Sequence, residues 1–477
     1  MDMALRNFLE IPYDELENLN LKAKKKRLSG VSEAEFEREY RELLKAEKRF
    51  KAVTLCFSDI EGRFHMLDYD KKHFLNTAHD LTFDGSSIRG FTALAESDLR
   101  LDPQWSTMRW LPADIFGAGK VLMFASILNR DRTLHESDFR GRLAEYAKKL
   151  ATEKNLEAYT APEIEGFLVE GIDAEQNYVD SVGFQLISSG GYFHSLPKDR
   201  LRQFIDAAAE AERALGFENE KDHPEVAPSQ FELAFHYGPL VEICDQIQLY
   251  KLVSRQVATT QGITATFLPK PISGINGSGM HVNFSLQKNN KNAFYAKTGE
   301  FSLSPLAHSF INKLLNHAPE ICLALNSSVN AYRRLDPNFE APNQIKVSPT
   351  DRGSMIRIPV ANQESTRIEV RSVAPDSNPY LAMYTILRTG LEGEELKADE
   401  DKRPRVRFLP GTIYEALKLF KTSEFISSIL GEEVQKKYVA TKQLVCDRSP
   451  RNLGTVVKTS EVIYHHEITN QVLWRKF

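Results

Sequence analysis

Between Ala52 and Leu128 the apolar positions fall in short runs: VTLCFSDI, FHMLDYD and, at 121 to 128, VLMFASIL. Each has the length of a strand and is bounded by polar or turn residues. Further on the period lengthens. From Lys198 to Leu215, residues Leu201, Phe204, Ile205, Ala208, Ala211 and Leu215 share one helical face, and Gly216 suits a helix C-terminus. A second helix is expected from about Ile243 to Gln261, and TATFLPKP after it reads as a strand ended by prolines. Strands and helices mix without strict alternation, which predicts an α+β chain rather than a doubly wound sheet.

The first 50 residues differ. They hold 11 basic and 11 acidic residues, a denser charge than the 26% of the whole chain. Ser32-Glu33-Ala34-Glu35 is a capping box leading into Phe36, Tyr40, Leu43 and Leu44 on one helical face. The run Lys22 to Arg27 (KAKKKR) sits among balancing acids and reads as a solvated linker or helix end. The expected layout is a charged helical extension over 1–50, a small domain over 51–134 and a large one over 135–477.

Composition narrows the function classes. The chain has 477 residues, 61 basic against 65 acidic, and a net charge of −4, which gives no reason to expect nucleic acid or membrane as a partner. The sequence has no stretch of about 20 apolar residues and no basic-then-apolar leader at its start. Cys56, Cys244, Cys322 and Cys446 are scattered, as expected of free thiols in a reducing compartment. A cytoplasmic protein is the expectation.

The informative feature is a set of carboxylates where strand patterns call for apolar residues. In APEIEGFL, Glu163 and Glu165 are two apart and point to one face of a strand. HPEVAPSQFEL adds His223, Glu225 and Glu232, NGSGMHVNFSL adds His281, and TRIEVR adds Glu369. Several carboxylates with one imidazole suit Mg²⁺ or Mn²⁺, two or three ions in all. Arg334, Arg352, Arg357, Arg367 and Arg371 recur among apolar residues in the C-terminal half, and cleft arginines require anions. Metal carboxylates facing arginines describe a phosphoryl-transfer site. There is no GxxxxGK[ST] loop, so this is not a P-loop enzyme.

In order along the chain, FDGSSIRGF (83–91), ESD (96–98), PEIEGFL (162–168), GGYF (190–193), HPEVAPSQFEL (223–233), PKPISGINGSGMHVNFSL (269–286), NSSVNAYRRLDPNFEAP (326–342), DRGSMIRIP (351–359) and RIEVRSVAPDSNPYLA (367–382) resemble the type I glutamine synthetases. The resemblance runs from about residue 52 to the C-terminus. It implies a β-grasp-like N-terminal domain and a catalytic domain built on a curved antiparallel sheet flanked by helices. It also implies ATP-dependent joining of ammonium to glutamate through γ-glutamyl phosphate. One metal would rest on Glu165, Glu225 and Glu232, the other on Glu163, His281 and Glu369. Asn276, Gly277, Arg334 and Arg371 would hold glutamate, and Arg352 and Arg357 would face the transferred phosphate. Glu220, His223, Tyr237 and Ser285 would surround the nucleotide. The ammonium pocket would combine Asp84 and Ser87 of an adjacent subunit with Tyr192, Glu225 and Glu340, the last on a mobile flap. The family further implies rings of six stacked as a dodecamer. Pro224 and Asn283 depart from histidines found in other members. The N-terminal extension is longer than usual and is expected to serve a subunit or ring contact. The same fold also carries γ-glutamyl-amine ligases for polyamines or methylamine, and catalytically silent relatives; the match at Asp84, Tyr192 and Glu340 favours ammonium, and the full ligand set disfavours silence.

Overall fold

The apolar runs pair as their alternation requires. Ala52–Ser58, buried at all but its first position, lies antiparallel to Phe64–Asp70 and parallel to Lys120–Leu128. Asp98–Pro103 and Thr82–Asp84 continue the sheet beyond Lys120–Leu128, completing a β-grasp arrangement. This computed structural model describes residues 10–92, 97–335, 341–395, 406–449 and 453–465.

The N-terminal extension folds as two helices, Tyr13–Leu28 and Glu33–Ala46, and the hydroxyl of Ser32 caps the second by accepting from the Glu35 amide. Phe36, Tyr40 and Leu44 join Val53, Leu55, Val121 and Met123 in one buried cluster. The extension is therefore part of the small domain's core. The basic run forms the last turns of the first helix, where cations complement the helix dipole. It is no solvated linker: Lys24 is buried and its Nζ lies 2.6 Å from Glu218, while Arg27 reaches Glu242 at 3.1 Å and the Ser106 carbonyl at 2.7 Å. Asn20 is 1% exposed. Its amide donates to the carbonyls of Trp110 (2.9 Å) and Ala214 (2.7 Å) and accepts from the Trp110 N–H (3.0 Å). One side chain thus ties the extension to both the small sheet and the helix Arg200–Ala214.

The second sheet has ten strands. Its main path runs Gln344–Ser348, Ser354–Arg357, Ile368–Val370, Met280–Lys288, Leu156–Glu170, Gln230–Phe235, Asn219–Pro224. The 15-residue strand Leu156–Glu170 is the spine, with Met280–Lys288 along 156–164 and Gln230–Phe235 along 165–167. Gly166 is required where it stands, because a Cβ there would lie 2.6 Å from the Phe231 ring. Helices Leu240–Thr260, Pro305–Leu325 and Pro379–Glu392 contribute to the large core that includes Ile164, Val282 and Ile368. The strand expected in TATFLPKP is shorter than the run suggests, Ile263–Thr266. Among the described residues no helix is long and apolar enough to cross a membrane, and all four cysteines are buried and free.

Replacing Asn20 with alanine leaves two buried carbonyls and one N–H without partners, so the expected loss is about 2–3 kcal/mol. Denaturant unfolding followed by tryptophan fluorescence checks this; a midpoint unchanged from the parent would remove Asn20 as the joint.

Candidate active site

Register assembles the site. His281 stands opposite Glu163, Glu369 opposite Asn283 and Arg357, and Glu232 opposite both Glu165 and His223. Directly opposed residues have Cβ atoms about 5 Å apart, close enough for their head groups to meet. The outcome is a cavity of about 350 Å³ lined by the acids, by His223 and His281, and by Arg334, Arg352, Arg357 and Arg371. Asn276, Gly277 and Tyr192 complete its wall.

Two clusters in it have metal-ligand geometry, their donor atoms within 4.8 Å of one another. One is Glu163, His281 and Glu369, the other His223, Glu225 and Glu232. His281 Nδ1 lies 3.6 Å from Glu163 and 3.7 Å from Glu369. Carboxylates with a single imidazole, crowded beyond what like charges tolerate, fit a hard divalent cation. The second cluster groups His223 with Glu225 and Glu232, while the resemblance implies Glu165 as the third donor. Glu165 lines the same cavity, but its Oε2 accepts from the Gly279 amide (2.8 Å) and from Gln230 Nε2 (3.2 Å). His223 likewise faces this cavity, while Glu220, Tyr237 and Ser285 line a neighbouring one of about 570 Å³. Glu163 and Lys221 border both cavities.

The electrostatics follow from this crowding. Burial, reinforced by the charges of Glu165 and Glu232, pushes Glu225 up to about 7. Burial also acts to raise Glu163, but the positive charge of His281 close by and the hydrogen bond from Asn283 outweigh it and hold that carboxyl below the usual range. Glu369 is fully buried between two arginines, with Arg357 Nε 2.5 Å and Arg371 Nη1 2.7 Å from its oxygens. Arg334 donates to the carbonyls of Arg371 (2.9 Å) and Val373 (3.3 Å).

Two consecutive stretches of the chain match one known family. Residues 49–130 match "Glutamine synthetase, beta-Grasp domain" and residues 136–452 match "Glutamine synthetase, catalytic domain". The chain belongs to the glutamine synthetase family. Glutamine synthetase of Thermotoga maritima is 35% identical over 409 residues, 82% of this chain and 92% of the relative. Glutamine synthetase of Staphylococcus aureus is also 35% identical, over 424 residues, 84% and 92% of the two chains. The cryo-EM structure of Plasmodium falciparum glutamine synthetase matches with a TM-score of 0.76 at 20% identity, covering 86% of this chain and 96% of that one.

Within this glutamine synthetase fold, Asp84 and Ser87 are not brought to the cavity by their own chain. Asp84 ends the strand Thr82–Asp84 and is exposed, its carboxylate accepting from the hydroxyls of Ser86 and Ser87 at 2.6 Å each. Those hydrogen bonds hold it below the usual carboxylate range. Glu340 lies outside the described residues. Sequence reasoning passed over Lys221, Gln230 and the positioning role of Asn283. Asn283 donates to Glu163 (3.0 Å) and accepts from Arg367 Nε (2.9 Å), so the residue standing in place of a second histidine orients that carboxylate instead. Nothing in spacing alone distinguishes such a partner from a surface amide.

A bound cation should relieve the repulsion among these acids. The folded Glu225 keeps a proton that the unfolded chain releases near 4.5, so metal-free stability falls as pH rises through 4.5–7. Adding Mn²⁺ to chelator-treated protein is expected to stabilise it by about 2.7 kcal/mol at 100 times the dissociation constant. The rise in melting temperature should be larger at pH 8 than at pH 6, because binding displaces the proton. Glu232→Gln should cut the rise; an equal rise in both proteins would place the ion elsewhere.

Proposed function

We propose that this chain joins ammonium to L-glutamate with ATP, giving glutamine, ADP and phosphate through γ-glutamyl phosphate. The observation that carries the reading is the adjacency of two chemistries in one cavity. The acid–imidazole clusters face Arg334, Arg352, Arg357 and Arg371, and a second cavity suited to a nucleotide opens beside Glu163 and Lys221. Tyr237 and Ser285 would flank adenine and ribose, with Glu220 beside them. Lys221 and Glu163 mark where the polyphosphate passes from one cavity to the other.

Glu163, His281 and Glu369 would hold one divalent ion and Glu225 and Glu232, with His223 or Glu165, another, magnesium or manganese in each case. Such ions neutralise phosphate charge and align the transferring group. The chain's own part is to orient and exclude. Asn276, Gly277, Arg334 and Arg371 fix glutamate so that its γ-carboxylate oxygen attacks the terminal phosphorus of ATP, and ADP leaves. Arg352 and Arg357 stabilise the charge spread over the transferred phosphate. The ammonium ion is then held by carboxylates. Asp84, kept ionised by its two serine hydrogen bonds, accepts one ammonium proton, and the exposed lone pair attacks the γ-carbonyl as phosphate departs and takes up the second proton the nitrogen must lose.

The position of Asp84 supports assembly. Exposed, and away from its own cavity, it serves a neighbouring subunit in this reading, so the active form is a homo-oligomer; stacked hexameric rings are the specific arrangement proposed. An amine ligase of the same fold is the competing reading.

Phosphate release with Mg-ATP and glutamate separates the two when ammonium, methylamine and putrescine are compared. Ammonium alone should support turnover, with glutamine as product; preference for an amine, or silence with all three from metal-loaded protein, would refute the proposal. Glu369→Ala should lower phosphoryl transfer by at least about 100-fold. Asp84→Ala should raise the KM for ammonium while leaving that for ATP within about twofold, and equal loss of both would count against its role.

A further inference from the structure

A third cavity, of about 420 Å³, shares no lining residue with the two catalytic ones. It lies where residues 61–66 of the small domain meet the helix Leu240–Thr260 of the large one. Lys251 lines it at only 7% exposure, and its ammonium has no hydrogen-bond partner among the described residues. One helical turn on is Arg255, its guanidinium 5.2 Å from the centre of the Phe267 ring, and Arg63 lines the small-domain side. Glu61 and Asp376 on the wall have other cationic or hydroxyl partners, and none of the wall's acids hydrogen-bonds Lys251. Glu61 accepts from Lys442 (2.6 Å) and Arg89 (3.2 Å), and Asp376 accepts from the Ser328 hydroxyl (2.5 Å) and lies 2.9 Å from His465 Nε2. Glu175 is the remaining carboxylate on the wall.

Two like charges on one face of a helix, one of them buried, are costly unless an anion answers them. Burial, with Arg255 beside it and only partly offset by the charge of Asp376, brings Lys251 down to about 7, so the ammonium is held at the edge of losing its proton. A hydrophobic residue of the same length would fill this position without that cost. The cavity is large enough for a small metabolite.

We infer that this junction cavity is a second, non-catalytic binding site for a small oxyanion, a carboxylate or a phosphate, gripped by Lys251 and Arg255 against the small domain. A ligand there bridges the two domains. It also rests against the helix whose Tyr250 donates to the Ile164 carbonyl at 2.8 Å, between Glu163 and Glu165. The inference does not depend on the proposed reaction, and its test needs no turnover.

The test is the melting temperature of the full chain in sodium phosphate, sodium succinate and sodium chloride at matched ionic strength. It is run on the parent, Lys251→Met and Arg255→Gln. The oxyanion should raise the parent's midpoint by about 3 °C over chloride, and both variants should lose most of that rise. Anions captured by the catalytic arginines raise all three proteins alike, so the difference between parent and variants reports this cavity. A rise with phosphate alone assigns a phosphoryl ligand, and a rise with succinate alone a carboxylate. No rise in the parent, or an equal rise in parent and variants, would overturn the inference.

Discussion

The pairing register of one strand governs the site. Leu156–Glu170 presents Glu163 and Glu165 on a single face, and the strands beside it set His281 against the first and Glu232 against the second. A slip of one residue in either pairing would turn one of these side chains to the opposite face. Four ionisable groups in cross-strand contact cost free energy in the metal-free chain. The cost is tolerated because the sheet is pinned behind them, by Tyr250 on the Ile164 carbonyl, by Gly166 admitting the Phe231 ring, and by the apolar cluster of Ile164, Val282 and Ile368.

That constraint also shows what could be read from the residues alone. The i, i+2 spacing of Glu163 and Glu165 is a property of any strand, so their shared face was legible once the strand was. Grouping Glu163 with His281 and Glu369 needed the order of motifs, because residues so far apart in sequence carry no local sign of contact. The orientation of Glu165 was beyond sequence reading. It depends on the Gly279 amide and Gln230 taking Glu165 Oε2, contacts that arise only when a turn and a third strand converge. The basic run at Lys22 to Arg27 was legible as a helix end, but its partners were not. Its charge balance looked like solvation, whereas Glu218 and Glu242, its partners for Lys24 and Arg27, come from the distant large domain.

Domain junctions carry more of this molecule than its two sheets suggest. Asn20 ties the extension to the small sheet and to the helix Arg200–Ala214, the buried Lys442–Glu61 pair crosses between domains, and Asn378 donates to the carbonyls of Asp59 and Ile60. These contacts are polar and buried, so their value lies in orientation: removing one partner costs far more than the pair contributes. They hold the strand Thr82–Asp84, and with it Asp84, at a fixed position relative to the catalytic sheet of its own chain. The proposed completion of the active site by an adjacent copy requires such rigidity.

The most direct measurement of the central claim is anomalous scattering from crystals of the full chain grown with Mn²⁺. The register predicts density among Glu163, His281 and Glu369, and again between Glu225 and Glu232 beside His223 or Glu165. Manganese bound elsewhere, with these two clusters empty, would contradict it.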